Sequence, residues 1–140
     1  MGSMECTYIF DKFRNKVSDY DLLDMCPSYE EAILYDYLLS AAGDFMEWTG
    51  FEFTFDNRIR TISPAPSERQ ADMLALGMLY YWTSHILHNT DKMRNVMNTR
   101  DFQQFSPEKI LGRLAEIRDS SYSDFKSRVI DHSFIVGDQV

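Results

Sequence analysis

The 140-residue chain is short of cysteine, of basic charge and of long apolar runs, and each shortage closes off a class of protein. Its only cysteines, Cys6 and Cys26, are too far apart for a Cys-x-x-Cys motif and too few for a disulfide scaffold. Both are expected as free thiols in a reducing compartment. Fourteen basic residues face 22 acidic ones, and the resulting net charge of −8 repels phosphate and disfavours a sequence-reading DNA-binding module. The longest apolar run, Met73 to Trp82, is about half of the roughly 20 residues that span a bilayer. With no signal peptide before Tyr8, a soluble protein without a membrane segment is expected. Met1-Gly2-Ser3 ahead of Met4 resembles an appended leader, although a native start at Met1 is equally legal.

Catalytic signatures are missing too. There is no Walker glycine loop, no dinucleotide fingerprint and no Gly-x-Ser-x-Gly elbow. His85, His88 and His132 are remote in sequence from both cysteines, so nothing flags a nucleophile beside a base. Asp19-Tyr20-Asp21-Leu22-Leu23-Asp24 lacks the glycine and closing glutamate of a calcium loop, and helix capping explains its acids better. We expect no enzymatic activity and no cofactor.

What is present is material for a core: 44% hydrophobic residues, with 10 Phe, 8 Tyr and 2 Trp. A chain of this size buries one such core, so residues 1–140 are expected as a single domain with a flexible N-terminus at 1–7 and a C-terminal tail at 132–140. No internal repeat, low-complexity tract or linker interrupts it.

The patterning predicts a mainly α protein, a small helical bundle. Ile9, Phe10, Phe13 and Val17 have the spacing of a short amphipathic helix over Tyr8 to Val17. Ser18 to Asp21 caps a further turn that Pro27 stops. Ser28-Tyr29-Glu30-Glu31 is a capping box and opens a helix over about 28–48, with Leu34, Leu38, Ala41, Phe45 and Trp48 on one stripe and Asp36 and Asp44 off it. Phe51 to Phe55 and Arg58 to Ile62 alternate about Asp56-Asn57, a pattern for a β-hairpin at 51–62 with a two-residue turn, or for a long loop whose phenylalanines fill the core. Ser67-Glu68-Arg69-Gln70 is a second capping box. The long helix behind it, about 67–89, is apolar on nearly every face and needs cover on several sides, from its own bundle or from another subunit. Gly77 within it, which costs helix stability of about 1 kcal/mol relative to alanine, is tolerable if it lets another backbone approach closely. Ser106-Pro107-Glu108 starts the second long helix, about 106–131, with Ile110, Leu111, Leu114, Ile117, Tyr122, Phe125, Val129 and Ile130 on its apolar side and Asp124 to Arg128 as an i, i+4 pair. That helix is longer than the core of so small a domain requires.

Two clusters carry rival chemistry. His85, His88 and Asp91 have a spacing that puts three ligands on one helix face, but histidines near a helix C-terminus are also favoured by its negative pole, the preferred explanation; no metal site is expected. Arg58 and Arg60 with Phe51, Phe53 and Phe55 have the composition of a stacking surface for a nucleic-acid strand, against which stand the net charge of −8 and the simpler role of cross-strand or subunit contact.

Taken in succession, several segments resemble the head–tail connector, or neck adaptor, proteins of tailed bacteriophages. They are Ser18 to Leu23, Tyr37 to Phe45, Glu68 with Met73-Leu74-Ala75-Leu76-Gly77-Met78, Trp82, Thr99-Arg100-Asp101-Phe102, Phe105-Ser106, and the amphipathic helix ending near His132-Ser133-Phe134. The likeness covers most of the chain in order, and departs from the family at the aromatic segment Phe51 to Ile62 and at Pro64-Ala65-Pro66. It implies a structural virion protein of the neck, assembled in the host bacterial cytoplasm. The subunits would form a homo-oligomeric ring, typically of twelve copies, between the portal protein and the next neck or tail protein, with DNA passing through the lumen. Met78, Tyr81, Trp82, Phe102, Phe105, Leu114 and Phe125 are then expected to hold the core and assembly together, and Phe134, Ile135 and Val136 in the tail to reach the portal. The competing expectation is a monomeric acidic helical regulator that binds a protein partner or mimics the charge of DNA.

Overall fold

The computed structural model describes residues 2–19, 31–88 and 107–138, the last stretch with side chains from 111 to 132. The order is β1 (Met4–Glu5), α1 (Cys6–Asp19), α2 (Glu31–Thr49), β2 (Thr54–Asp56), β3 (Thr61–Ser63), α3 (Glu68–His88) and α4 (Pro107–Asp138). The expected mainly helical bundle is what forms, with a small three-stranded antiparallel sheet beside it. Among the described residues no helix is long and apolar enough to cross a membrane.

Each helix follows from its own pattern. In α1 the buried side chains are Cys6, Ile9, Phe10, Phe13 and Val17, one stripe of an amphipathic helix. In α2 they are Leu34, Tyr35, Leu38, Ala41, Ala42 and Phe45. The helix ends where Gly50 turns to a φ of 74°, a conformation that costs glycine nothing, and its N–H donates to the Met46 carbonyl at 2.8 Å. The cap of α3 is reciprocal as expected: the Gln70 N–H donates to Ser67 Oγ at 3.1 Å, and the Ser67 N–H donates to Gln70 Oε1 at 2.9 Å. The matching box at Ser28 lies outside the described residues.

The hairpin forms with a different turn. Asp56 pairs with Thr61 and Phe55 with Ile62, so the loop is Asn57 to Arg60 and not the two-residue Asp56-Asn57 turn that alternation suggests. Asp56 Oδ1 accepts from the N–H groups of Arg58 at 3.0 Å and Ile59 at 3.4 Å, and Arg60 takes a φ of 51°. Aspartate suits such a turn because its carboxylate can accept two backbone donors that the loop leaves open.

The N-terminus corrects a second expectation. Within the segment 1–7 that was expected to be flexible, Met4 and Glu5 pair with Ile62 and Thr61, placing β3 at the centre of the sheet in the order β1-β3-β2. The Cys6 N–H donates to the Arg60 carbonyl at 3.0 Å, and the Ala65 N–H to the Gly2 carbonyl at 2.8 Å. The physical reason is that pairing with β2 satisfies only one edge of β3, and Ile62, fully buried, leaves its other edge to be covered.

A third correction concerns the C-terminus. The segment from His132, expected as a tail, instead continues the helix to Asp138, which gives α4 32 residues and about 48 Å of length at roughly 1.5 Å per residue. Leu114, Ile117, Phe125 and Val129 enter the core with Ser121 among them, and Leu111 packs at its edge.

Candidate functional site

The centre of the molecule is the seam where α3 passes between α2 and α4. A Cβ built on Gly77 would lie 2.7 Å from Phe125 Cζ and 2.8 Å from both Phe125 Cε2 and Ala41 Cβ, so only glycine lets the flanking side chains close on the helix. The approach is close, but it is made by side chains from two sides and not by the other backbone that was expected. Met78, Trp82, Leu114 and Phe125 are all buried around this seam, and the Trp82 ring meets Phe13 edge-on with centroids 6.0 Å apart. These four residues hold this chain's own core. Phe102 and Phe105 lie outside the described residues. Phe134, Ile135 and Val136 fall within the last turns of α4, and their side chains also lie outside the described set.

Tyr81 does something its apolar spacing did not signal. Half-buried, it donates its hydroxyl to Asp44 Oδ2 across α2 and α3, and burial, followed by that hydrogen bond, pushes its phenol above the ordinary tyrosine range. Its neighbour Tyr80 stacks on Tyr122 with centroids 4.8 Å apart, Tyr122 meets Trp48 at 6.1 Å, and Lys126 Nζ sits over both of those last rings. The result is an aromatic ladder laid across α2, α3 and α4 at the edge of the core.

Charge ties the helices together at the other end of α3. Asp72 accepts from Lys16 at 3.0 Å and from Arg128 at 3.4 Å, linking α1, α3 and α4. The expected Asp124–Arg128 pair is not the contact that Arg128 makes here; it reaches a neighbouring helix instead. Arg69, Asp72, Met73, Arg128, Asp131 and His132 line a cleft of about 290 Å³. The Nε2 atoms of Gln70 and His132 are 3.3 Å apart, so the amide donates and His132 carries its proton on Nδ1, which is buried without a partner among the described residues. Burial, followed by the nearby Arg69 charge, lowers the His132 pKa.

The rival chemistries find little geometry. The His85 ring lies edge-on to Tyr37 at 6.0 Å, His88 Nδ1 is 2.7 Å from the Ser84 carbonyl, and Asp91 lies outside the described residues. Among the described residues no three potential metal ligands come together. The stacking surface is not formed: Phe53 is buried, and Phe51 and Phe55 pack against the core. Cys6 is free and buried, and burial pushes its thiol up to about 11 against the smaller opposing pull of Arg60, which leaves it protonated and a poor nucleophile at neutral pH. Cys26 lies outside the described residues.

Two open features remain on the surface. A groove of about 620 Å³ runs between α2 and α3. The tip of the hairpin presents Arg58 and Ile59, the latter 58% exposed.

Set against known proteins, the chain matches no family model, and neither a curated protein nor a solved structure matches it significantly.

Proposed function

We propose that the chain is a structural subunit of a tailed-phage neck, a head–tail connector that forms a ring below the portal and lets DNA pass through its lumen. Its partners are the portal protein, the next neck or tail protein and further copies of itself, typically twelve in the ring. It catalyses nothing, binds no cofactor, and is built into virions in the cytoplasm of the host bacterium.

The observation that carries this reading is the length of α4. It has 32 residues and runs about 48 Å at roughly 1.5 Å per residue, longer than the core of so small a domain requires. A helix that outruns its own core offers side-chain surface to neighbours, as a ring subunit must. The order of the connector-like segments along the chain supports the same reading, and the net charge of −8 suits a lumen that DNA traverses without sticking.

Electron microscopy of the full chain mixed with the portal of the same phage tests it. A collar of density on the portal is expected. Failure to bind the portal at tens of micromolar, together with binding to a DNA-binding protein, would replace the connector by an acidic regulator.

A further inference from the structure

The geometry points to a knob-and-groove contact between copies of this chain, in which the Arg58-Ile59 tip of one subunit seats in the α2–α3 groove of the next. This deepens the connector reading, and rests on it only for the closure of successive contacts into a ring.

The knob comes first. Among the described residues three large hydrophobic side chains are exposed, and the most exposed of them is Ile59 at 58%. It stands at the loop of the hairpin, held out by the Asp56 turn. Arg60 beside it is already engaged by Glu31 at 3.4 Å and lies over the Tyr35 ring. Arg58 has no ion-pair partner among the described residues. In a chain of net charge −8 this tip is apolar and basic.

The groove has the opposite character. Ile33, another of the three exposed hydrophobics at 38%, lines it with Tyr37 and Tyr81. Asp36, exposed and in no ion pair among the described residues, supplies its formal negative charge, with His85 and His88 on the same lining. An isoleucine knob flanked by an arginine complements such a surface in both shape and charge.

Placement then decides the kind of contact. The hairpin leans on α2 at Glu31 and Tyr35, the latter donating its hydroxyl to Asn57 Oδ1 at 2.5 Å. The groove uses Ile33, Asp36, Tyr37 and Ser40 of the same helix. At about 100° per residue the two sets of positions are centred roughly 170° apart around α2, so knob and groove point in opposite directions from one helix. A subunit therefore cannot satisfy itself. Each copy offers a knob on one side and a groove on the other, the heterologous arrangement that generates a ring when its rotation closes and a filament when it does not.

Sedimentation velocity on the full chain, from about 1 to 200 µM, tests the contact. Wild type is expected to associate with rising concentration. Ile59→Asp and Asp36→Arg, both at exposed positions, are each expected to raise the dissociation constant about tenfold or more while leaving the melting temperature unchanged. The decisive arm mixes two variants: Arg58→Asp and Asp36→Arg are each impaired alone, and an equimolar mixture recovers association because each tip then meets a groove of opposite charge. Assembly that survives Ile59→Asp, or charge-reversed variants that fail to complement, overturns the contact while leaving the connector reading standing. A wild type that stays monomeric throughout overturns the contact as well, and the portal experiment then judges the connector reading on its own.

Discussion

The two long helices share a bundle but are used differently. α3 has ten of its 21 residues buried, capped at one end by a reciprocal Ser67–Gln70 box and clasped at its middle by Ala41 and Phe125. α4 gives the core a described stripe of Leu114, Ile117, Phe125 and Val129, within a helix of 32 residues. A helix apolar on nearly every face spends most of its surface on filling the centre. One with a single apolar stripe can serve the core and still present a long polar face to something else.

The sharpest way to break this contrast is to remove what α4 contributes at the seam. Phe125→Ala is expected to cost about 3–5 kcal/mol in urea denaturation, because the ring is fully buried against Gly77 and the space cannot collapse between two helices. Gly77→Ala is next. Alanine favours a helix interior by about 1 kcal/mol, yet its Cβ would stand under 3 Å from Phe125 and Ala41, so a net loss of about 1–2 kcal/mol is expected. In a Phe125→Leu background the same substitution becomes neutral or stabilising. A double-mutant cycle showing no coupling between positions 77 and 125 would remove the clasp from the account.

Ser67→Ala is expected to cost about 1 kcal/mol, as loss of a helix N-cap does, with no effect on association. A smaller effect separates α4 from a tail. His132 has a folded pKa below its ordinary value of 6.5, so the unfolded chain takes up its proton first on acidification. Its contribution to stability is present above pH 6.5 and is lost as pH falls below that value. His132→Gln should flatten this part of the stability profile between pH 7 and 5.5; an unchanged slope would show that His132 is not packed between α3 and α4. Smallest of all is Ile59→Asp, expected to shift folding stability by less than about 0.5 kcal/mol while changing self-association.

Much of this was legible in the residues. Apolar spacing located α1, α2, α3 and the start of α4, the Ser67 box marked the beginning of α3 to the residue, and Gly77 announced a close approach. The hairpin was visible as alternation, but its turn was not, since period two fixes which face a side chain takes and leaves the pairing register open. The candidate surfaces were less legible still. Tyr81 counted as one more apolar residue until the fold brought Asp44 within reach of its hydroxyl. Arg128 had a suitable partner four residues earlier and contacts Asp72 across the bundle. Nothing local distinguishes a surface isoleucine such as Ile59 from one destined for the core.

The sequence alone determined that the chain is helical, how its helices begin, and that the helix behind Ser67 needs cover on several sides, because these follow from local hydrogen bonding and from how much apolar surface one helix can leave in water. Only the tertiary structure decided that residues 4 and 5 complete a sheet, that Gly77 is clasped by Ala41 and Phe125, and that the hairpin and the groove at Ile33 and Asp36 use opposite sides of α2. Those are matters of residues far apart in the chain meeting in space, which neither composition nor periodicity encodes.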